Sequence, residues 1–270
     1  MSYDNLFHGS ADVPNHSQWK IKAESLLADR DIWHPTETKK FPLGAIAESR
    51  DGRKWRYQEE AGNGLALAVI TQAAAADTDA EYEVQTNNPD IWVVGDKIVT
   101  VTSTATIAAH EFIDGYIYVP DGTGQGNMYL VKDNKVSTAN ASTGYDTVFE
   151  IADTGGIRTV IVAESDVTLW KNKYKDTIIF PIDPTGPCTG VTMTAVTAGY
   201  FYWAQVKGYC PVLMGTTDTI VIGDMVGAGG TTAGGCCLMD VAAEGDTLLG
   251  YCAKAPAADA DYAIIDLTIE

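Results

Sequence analysis

Alternation of apolar and mixed residues at a period of two constrains the fold of this chain more than any other feature. Ala263, Ile265, Leu267 and Ile269 fall on one side of an extended segment, and more mixed residues fall on the other. Similar short runs of valine, isoleucine, threonine and tyrosine recur along the chain, separated by some of its 26 glycines. Long stretches with the period of a helix are scarce. The sequence therefore predicts a mostly β protein.

The spacing of these runs predicts two β domains. A length of 270 residues suits one or two domains, and strands at intervals of roughly ten residues are typical of sandwiches and barrels. We expect two sandwich-like or barrel-like domains at residues 41–135 and 146–270. The polar stretch DNKVSTANASTGYD between them is the predicted linker.

Residues 1–40 predict an N-terminal arm that precedes the first β domain. They are polar, mixed in charge and without strand alternation. A short helix is predicted from about Ser17 to Ile32, with Trp19 among the apolar residues that share one face.

Charge limits the partners of the chain. The net charge is −18 at pH 7, which disfavours non-specific binding to nucleic acid or to an anionic membrane. Residues 1–60 contain 9 Lys/Arg and 10 Asp/Glu, whereas residues 61–270 contain 9 and 26. The opening MSYDNLFHGS lacks the features of a secretory signal, and no apolar run approaches the roughly 20 residues of a membrane span. We therefore expect a soluble protein made in a cytosol.

Two glycine-containing segments predict hairpin turns. In DGTGQGN, Asn127 stands where a dinucleotide-binding loop has its third glycine, and the following MYLVK has a strand pattern. Phosphate binding needs a helix N-terminus at this point, whereas glycine reaches the positive φ of a tight turn without steric cost. Asp51-Gly52 lies between two further strand patterns and gives the second signal.

No group of residues in the sequence has the spacing of a catalytic or metal site. HEFID carries Asp114 where a zinc motif has its second histidine. Cys236 and Cys237 would point to opposite sides of a strand, and the five cysteines are expected to be buried free thiols. The acidic run from Asp77 to Glu83 lacks the glycine and final glutamate of a calcium loop and fits a solvated edge. We therefore expect no catalysis, no cofactor and no tightly bound metal.

Four consecutive aromatic residues, Tyr200 to Trp203, require an explanation. A strand with apolar groups on both faces must be covered on both. Two interpretations stay open: all four side chains are internal to a sandwich, or one face meets a neighbouring protomer or a larger assembly. Aromatic residues suit such an interface because they bury much area with little rotamer entropy to lose.

Three segments together carry a resemblance to a known family. FPLGAIAESRDGRKWRYQEEAGNGLALAVITQA, DGYIYVPDGTGQGNMYLVK and VTAGYFYWAQVKGYCPVL occur in this order within residues 41–270. They resemble head decoration, or minor capsid, proteins of tailed bacteriophages. Cys210 departs from the family pattern, where a small non-thiol residue is expected, and residues 1–40 match no part of it.

The resemblance implies a non-enzymatic virion structural protein, made in the host cytoplasm, that binds the outside of a phage capsid and stabilises it. It implies the major capsid protein and further copies of this chain as partners, as a trimer, with no nucleic acid and no membrane. An exterior position suits the charge, because the packaged genome would repel this protein. The candidate residues for contact with the capsid or another protomer are Trp19, Trp33, Lys39, Lys40, Arg53, Trp55, Arg56, Tyr200, Phe201, Tyr202 and Trp203.

A head-fibre or tail-associated β module that binds a carbohydrate or host receptor is the alternative, since Tyr and Trp at strand ends also suit stacking on sugars. Several hundred copies per particle would favour decoration, and a handful at one vertex would favour a fibre. Trp19, Ile32 and Trp33 predict that the arm is mobile in the free protein and orders against the capsid or an adjacent protomer.

Overall fold

The computed structural model describes residues 20–22, 31–76, 91–141, 144–163, 165–215, 219–239, 247–257 and 261–270. This part of the chain is mostly β, which confirms the predicted fold class. Its strands are β1 (Lys20–Lys22), β2 (Ile46–Glu48), β3 (Lys54–Glu59), β4 (Ile70–Gln72), β5 (Ile98–Ser103), β6 (Tyr116–Asp121), β7 (Met128–Asn134), β8 (Thr138–Ala139), β9 (Tyr145–Ile151), β10 (Asp166–Trp170), β11 (Ile178–Ile179), β12 (Cys188–Thr192), β13 (Phe201–Leu213), β14 (Met225–Ala228), β15 (Cys236–Leu238), β16 (Thr247–Lys254) and β17 (Tyr262–Thr268).

Eleven of these strands form the larger sheet, which takes its members from two separate parts of the chain. Its main path runs β1-β2-β3-β13-β17-β16-β14-β15, and β12, β4 and β11 extend from β13. The long strand β13 pairs with β3 along its first half and with β17 along its second. A register shift between Gln205 and Lys207 separates the halves. Such a bulge bends a strand, which lets β13 serve two parts of one sheet.

The smaller sheet lies between β4 and β11 in the sequence. Its strands follow the order β10-β6-β7-β9-β5, with β8 beside β9, and every pair is antiparallel. Its hairpin β6–β7 turns through the glycine-rich segment, as β2–β3 in the larger sheet turns through Asp51-Gly52. Gly52, Gly122 and Gly124 all have positive φ. Both predicted hairpins are confirmed.

The hydrophobic clusters follow the two sheets. One cluster lies wholly between Trp92 and Leu169 and fills the smaller sheet. The clusters of the larger sheet combine residues before position 77 with residues after position 170. The stretch predicted as a linker contains β8 and therefore lies inside the smaller sheet. The predicted domain boundaries at 135 and 146 do not coincide with the limits of the two sheets. The chain leaves the larger sheet after β4 and returns to it at β11, and local sequence patterns do not encode this topology.

Asp114 and Asn172 join the two sheets. The Asp114 carboxylate accepts a hydrogen bond from the backbone N–H of Leu43 at 2.9 Å and pairs with the Lys39 ammonium. The side-chain amide of Asn172 donates to the carbonyl of Asp114 at 2.8 Å. We call this region, where residues 171–174 lead from the smaller sheet back to the larger one, the junction.

The predicted arm lies largely outside the described residues. Lys20–Lys22 form β1, parallel to β2, and are therefore extended where the helix from Ser17 to Ile32 was predicted. Asp31–Trp33 form a single 3-10 turn. Ile32 is buried in an aromatic cluster of the larger sheet, so at least this part of the segment belongs to the folded protomer. No helix among the described residues is long and apolar enough to cross a membrane.

Candidate functional site

Tyr202 and Trp203 are buried inside the protomer. The Trp203 ring lies 5.1 Å from that of Tyr57 and 5.5 Å from that of Phe41, measured between centroids. The Tyr202 hydroxyl donates to Gln58 Oε1 at 3.0 Å and is 2.8 Å from the Thr177 hydroxyl. For these two residues the structure favours the internal interpretation of the aromatic run, so they are not available for contact with another molecule.

Tyr200 and Phe201 are half-buried at the start of β13. The Phe201 ring stacks on Tyr57 with 5.9 Å between centroids, and its backbone exchanges two hydrogen bonds with Thr36. Part of each side chain stays exposed, so an interface role for Tyr200 and Phe201 remains a prediction.

Besides Trp203, the predicted interface contains three tryptophans, and the two of them that the structure describes differ in exposure. Trp55 is fully buried, and its indole Nε1 has no hydrogen-bond partner in the described part of the protein. Trp33 is half-buried against the same aromatic cluster. Trp19 lies outside the described residues.

The predicted basic residues make contacts within the protomer. Arg56 pairs with Glu270 and donates to the carbonyl of Gly44 at 2.7 Å. Arg53 bonds to Asp51 at 2.8 Å, and Lys39 pairs with Asp114. The backbone N–H of Lys40 donates to the Tyr57 hydroxyl at 3.0 Å. These contacts involve the side chains of Lys39, Arg53 and Arg56, and a role for the four residues at an acidic capsid stays a prediction.

The larger sheet exposes an aromatic surface that the sequence analysis did not select. Tyr209 of β13, Tyr251 of β16 and Tyr262 of β17 are 64%, 46% and 49% exposed, and Met225 of β14 is exposed beside them. We call these four residues the outer tyrosine face. The signal was present in the sequence, because each tyrosine lies next to a core residue such as Cys210, Cys252 or Ala263 and so points outward.

Strand register aligns part of this face in one row. Tyr209 is paired with Asp266, Asp266 with Tyr251, and Tyr251 with Met225. Neighbouring strands lie about 4.8 Å apart, so the row crosses four strands. The core residues on the opposite side of these strands fix the backbone. The outer tyrosine face therefore holds the rings of Tyr209 and Tyr251 on either side of the Asp266 carboxylate.

The described cysteines are unsuited to nucleophilic chemistry. All five are buried thiols outside any disulfide. Burial raises the pKa of the Cys188 and Cys210 thiols to about 12 in each case, whereas a reactive cysteine needs a lowered pKa. Cys236 belongs to the core and Cys237 Sγ contacts the Gly227 carbonyl.

The described residues include no group of three or more His, Cys, Asp and Glu side chains that could hold a metal ion. His110 is exposed, with Nδ1 2.8 Å from Asp133. The acidic run from Asp77 to Glu83 lies outside the described residues.

Comparison with protein-family models, with curated proteins and with solved structures finds no match for this chain. The class of this protein is therefore described by its fold and exposed surface alone. It is a mostly β protein of two sheets, with a tyrosine-rich face on the larger sheet.

Proposed function

We propose that this protein is a non-enzymatic virion structural protein that binds the outside of a phage capsid and stabilises it. The outer tyrosine face is the observation that carries this proposal, because it offers rigid, half-exposed aromatic area for contact with another protein. Tyrosine is enriched at interfaces, since its ring buries area and its hydroxyl keeps a polar partner. The resemblance of the three sequence segments to decoration proteins supports the same role.

Charge supports a position on the capsid exterior. The net charge of −18 would be repelled by packaged nucleic acid, whereas on the outer surface it keeps particles apart. The pairs Arg56–Glu270 and Lys39–Asp114 neutralise two of the 26 Asp and Glu residues of 61–270, so most of the acidic excess of that region remains. The expected partners are the major capsid protein and copies of this chain arranged as a trimer, which suits the threefold positions of an icosahedral shell.

Binding to capsids that lack this protein tests the proposal. Purified protein is mixed with undecorated capsids of the phage that encodes it, and bound protein is measured after sedimentation. We expect saturable binding by the wild type. The double variant Tyr209→Ser/Tyr251→Ser should bind at least about tenfold more weakly, the loss expected for central aromatic contacts.

The matched control removes two exposed apolar side chains of the smaller sheet, one in β5 and one in the loop between β7 and β8. Ile98→Ser/Val136→Ser loses exposed apolar side chains of comparable accessibility and should bind as the wild type does. Equal loss in both double variants would reject the outer tyrosine face as the contact. Absence of wild-type binding would reject decoration itself.

The number of copies per particle separates this role from the alternative. Several hundred copies agree with decoration, whereas a handful at one vertex would favour a head fibre or tail module. Sedimentation velocity of the free protein tests the trimer, and a concentration-independent monomer would contradict it.

A further inference from the structure

Three aromatic side chains form a strip on the outside of the smaller sheet. Trp170 of β10 lies directly opposite Tyr116 of β6, and Tyr118 is two residues further along β6 on the same face. Alternate residues of a strand are about 7 Å apart. Trp170 is 48% exposed, and Tyr118 is also exposed. We call these three residues the aromatic strip.

The strip ends at two clefts in the junction. One has a volume of about 310 Å³ and is lined by Tyr116, Trp170 and Arg56 among others. The other, of about 340 Å³, lies beside Ala73, Thr185 and Pro187. Trp170 and the segment Lys171–Lys173 line both clefts. Their volumes fall within the range of small-molecule sites, which often lie between structural units.

Hydrogen bonds hold the shared wall of the two clefts in place. Asn172 Nδ2 donates to the Asp114 carbonyl, and Asn172 Oδ1 accepts from the backbone N–H of Tyr174 at 3.0 Å. The backbone N–H of Lys175 donates to the Asn172 carbonyl at 2.9 Å. The clefts are therefore formed before any ligand binds, which lowers the entropy lost on binding.

Cations gather at the 310 Å³ cleft of this acidic chain. Arg56, Lys171 and Lys173 all line it. Arg56 is engaged by Glu270, and Lys171 pairs with Glu111 at 3.2 Å. Lys173 has a side chain that is 45% exposed, and its ammonium is 3.3 Å from Glu270 Oε1. That is its single hydrogen-bond partner among the described residues, whereas an ammonium carries three donors. Lys173 can therefore donate to an incoming anion.

We propose that the aromatic strip and the 310 Å³ cleft form a binding site for a saccharide that carries a carboxylate or phosphate group. The indole of Trp170 and the phenol of Tyr116 present flat apolar surface to the C–H face of a sugar ring. Lys173 donates to the anionic substituent in a charge-assisted hydrogen bond. The site lies on the smaller sheet and at the junction, so it does not depend on the outer tyrosine face or on capsid attachment.

The test uses full-length protein and three probes. Trigalacturonic acid supplies sugar rings with carboxylates, its trimethyl ester supplies the same rings without charge, and inorganic phosphate supplies an anion without a ring. Binding is measured by calorimetry and by the shifts of tryptophan indole N–H resonances. We expect trigalacturonic acid to bind with a Kd below about 1 mM, and both other probes to bind at least about tenfold more weakly.

Variants assign the site. Trp170→Ala should weaken trigalacturonic acid binding at least about tenfold. Lys173→Gln should weaken binding of the acid while leaving that of the ester unchanged. Tyr262→Ala, which removes an exposed aromatic ring from the larger sheet, is the matched control and should bind as the wild type does.

Four outcomes would overturn the proposal. These are no saturable binding of trigalacturonic acid up to about 10 mM, equal binding of acid and ester, equal binding of acid and phosphate, and unchanged binding by Trp170→Ala. If Trp170→Ala does not fold, the wild-type indole resonances decide: a saturable shift of the Trp170 signal supports the site, and its absence rejects it.

Discussion

Two buried threonines show how the same hydroxyl group can have opposite effects on stability. Thr147 of β9 is fully buried, and its Oγ1 has no hydrogen-bond partner in the described part of the chain. Thr177 is equally buried, but its Oγ1 donates to the Glu59 carbonyl at 2.9 Å and contacts the Tyr202 hydroxyl. Replacing a buried hydroxyl by a methyl group removes a desolvation cost in the first case and a satisfied bond in the second.

We expect Thr147→Val to leave the free energy of unfolding unchanged or to raise it by up to about 1 kcal/mol. Thr177→Val, the matched control of identical shape change, should lower it by about 1–3 kcal/mol. Urea denaturation of both variants measures the difference. Equal destabilisation by the two substitutions would mean that Thr147 has a partner, such as a buried water.

The contacts of Glu270 predict that the stability of the folded protein decreases at acid pH. Burial raises the pKa of its carboxyl, but hydrogen bonds from Tyr174 and Arg56 and the charges of Arg56 and Lys173 outweigh burial, so the pKa lies below its usual 4.5. A lowered pKa in the folded state contributes stability above the unfolded-state value, and this contribution is lost as pH falls through the folded-state value.

Glu270→Gln should therefore be less stable than the wild type at neutral pH. The difference in free energy of unfolding should shrink as pH falls below about 4.5. Thermal unfolding of both proteins across this range measures it. A difference that stays constant with pH would show that the carboxylate charge is not the cause.

At the scale of elements, β13 presents two different environments along one strand. Residues Tyr202 to Val206 are buried without interruption, whereas exposure alternates from Lys207 onward. Trp203 packs in one cluster and Tyr202 and Ala204 in another, on opposite faces of the first half. The second half has a core on one side, so Tyr209 faces outward.

Trp203→Asp should unfold the protein. Truncation of a buried tryptophan costs about 3–5 kcal/mol, and an unpaired buried carboxylate adds to this cost. Tyr209→Asp, six positions along the same strand, is the control and should remain folded. Near-ultraviolet circular dichroism distinguishes the two. A folded Trp203→Asp monomer would restore the interface interpretation of the aromatic run.

Two neighbouring glycines, Gly155 and Gly156, allow a close backbone approach in the turn after β9 to be tested. Gly156 has φ of 65°, and a Cβ added there would lie 2.4 Å from the Asp96 carbonyl oxygen. Gly155 has open space around the same position. We expect Gly156→Ala to lower the free energy of unfolding by about 1–3 kcal/mol and Gly155→Ala to change it little. Similar melting temperatures for both variants would contradict this close approach.

Local patterns predicted the parts of the fold that depend on neighbouring residues. The alternation in β17 placed Ala263, Ile265 and Leu267 in the core, and both glycine turns were located because φ preferences act within a few residues. The aromatic run could not be divided between core and surface, because its two faces are covered by residues far away in the sequence, around Leu43 on one side and around Leu65 on the other. The insertion of the smaller sheet leaves no local signal either.

The candidate surfaces were harder to predict than the fold. Tyr209 and Tyr202 have the same side chain on the same strand, but the first half of β13 is covered on both faces and the second half on one. Trp170 was missed because its significance depends on Tyr116, which is its neighbour only after β6 and β10 pair. Both surfaces depend on how strands far apart in the sequence pair with each other, and the sequence alone does not give that pairing.

At the scale of the whole molecule, each sheet has its own core, and only that of the smaller sheet is continuous in sequence. Residues 91–170 contain every member of its hydrophobic cluster, so we expect this fragment to fold alone. Circular dichroism with a cooperative thermal transition checks this. Residues 171–270, which lack β3 and the rings of Phe41 and Tyr57 that pack on Trp203, are the control and should not fold. A disordered 91–170 fragment would show that the junction is required.

The position of β17 between β13 and β16 sets an order of events during synthesis. The smaller sheet is complete once Trp170 has left the ribosome, but β13 lacks its second neighbour until Thr268 follows. Thr268 follows Leu213 by 55 residues, so at about 5–20 residues per second the nascent chain carries the second half of β13 unpaired for roughly 3–11 seconds. During that interval the open strand is a target for chaperones and for β13 of another nascent chain on the same messenger, so rapid overexpression should favour inclusion bodies over native protein.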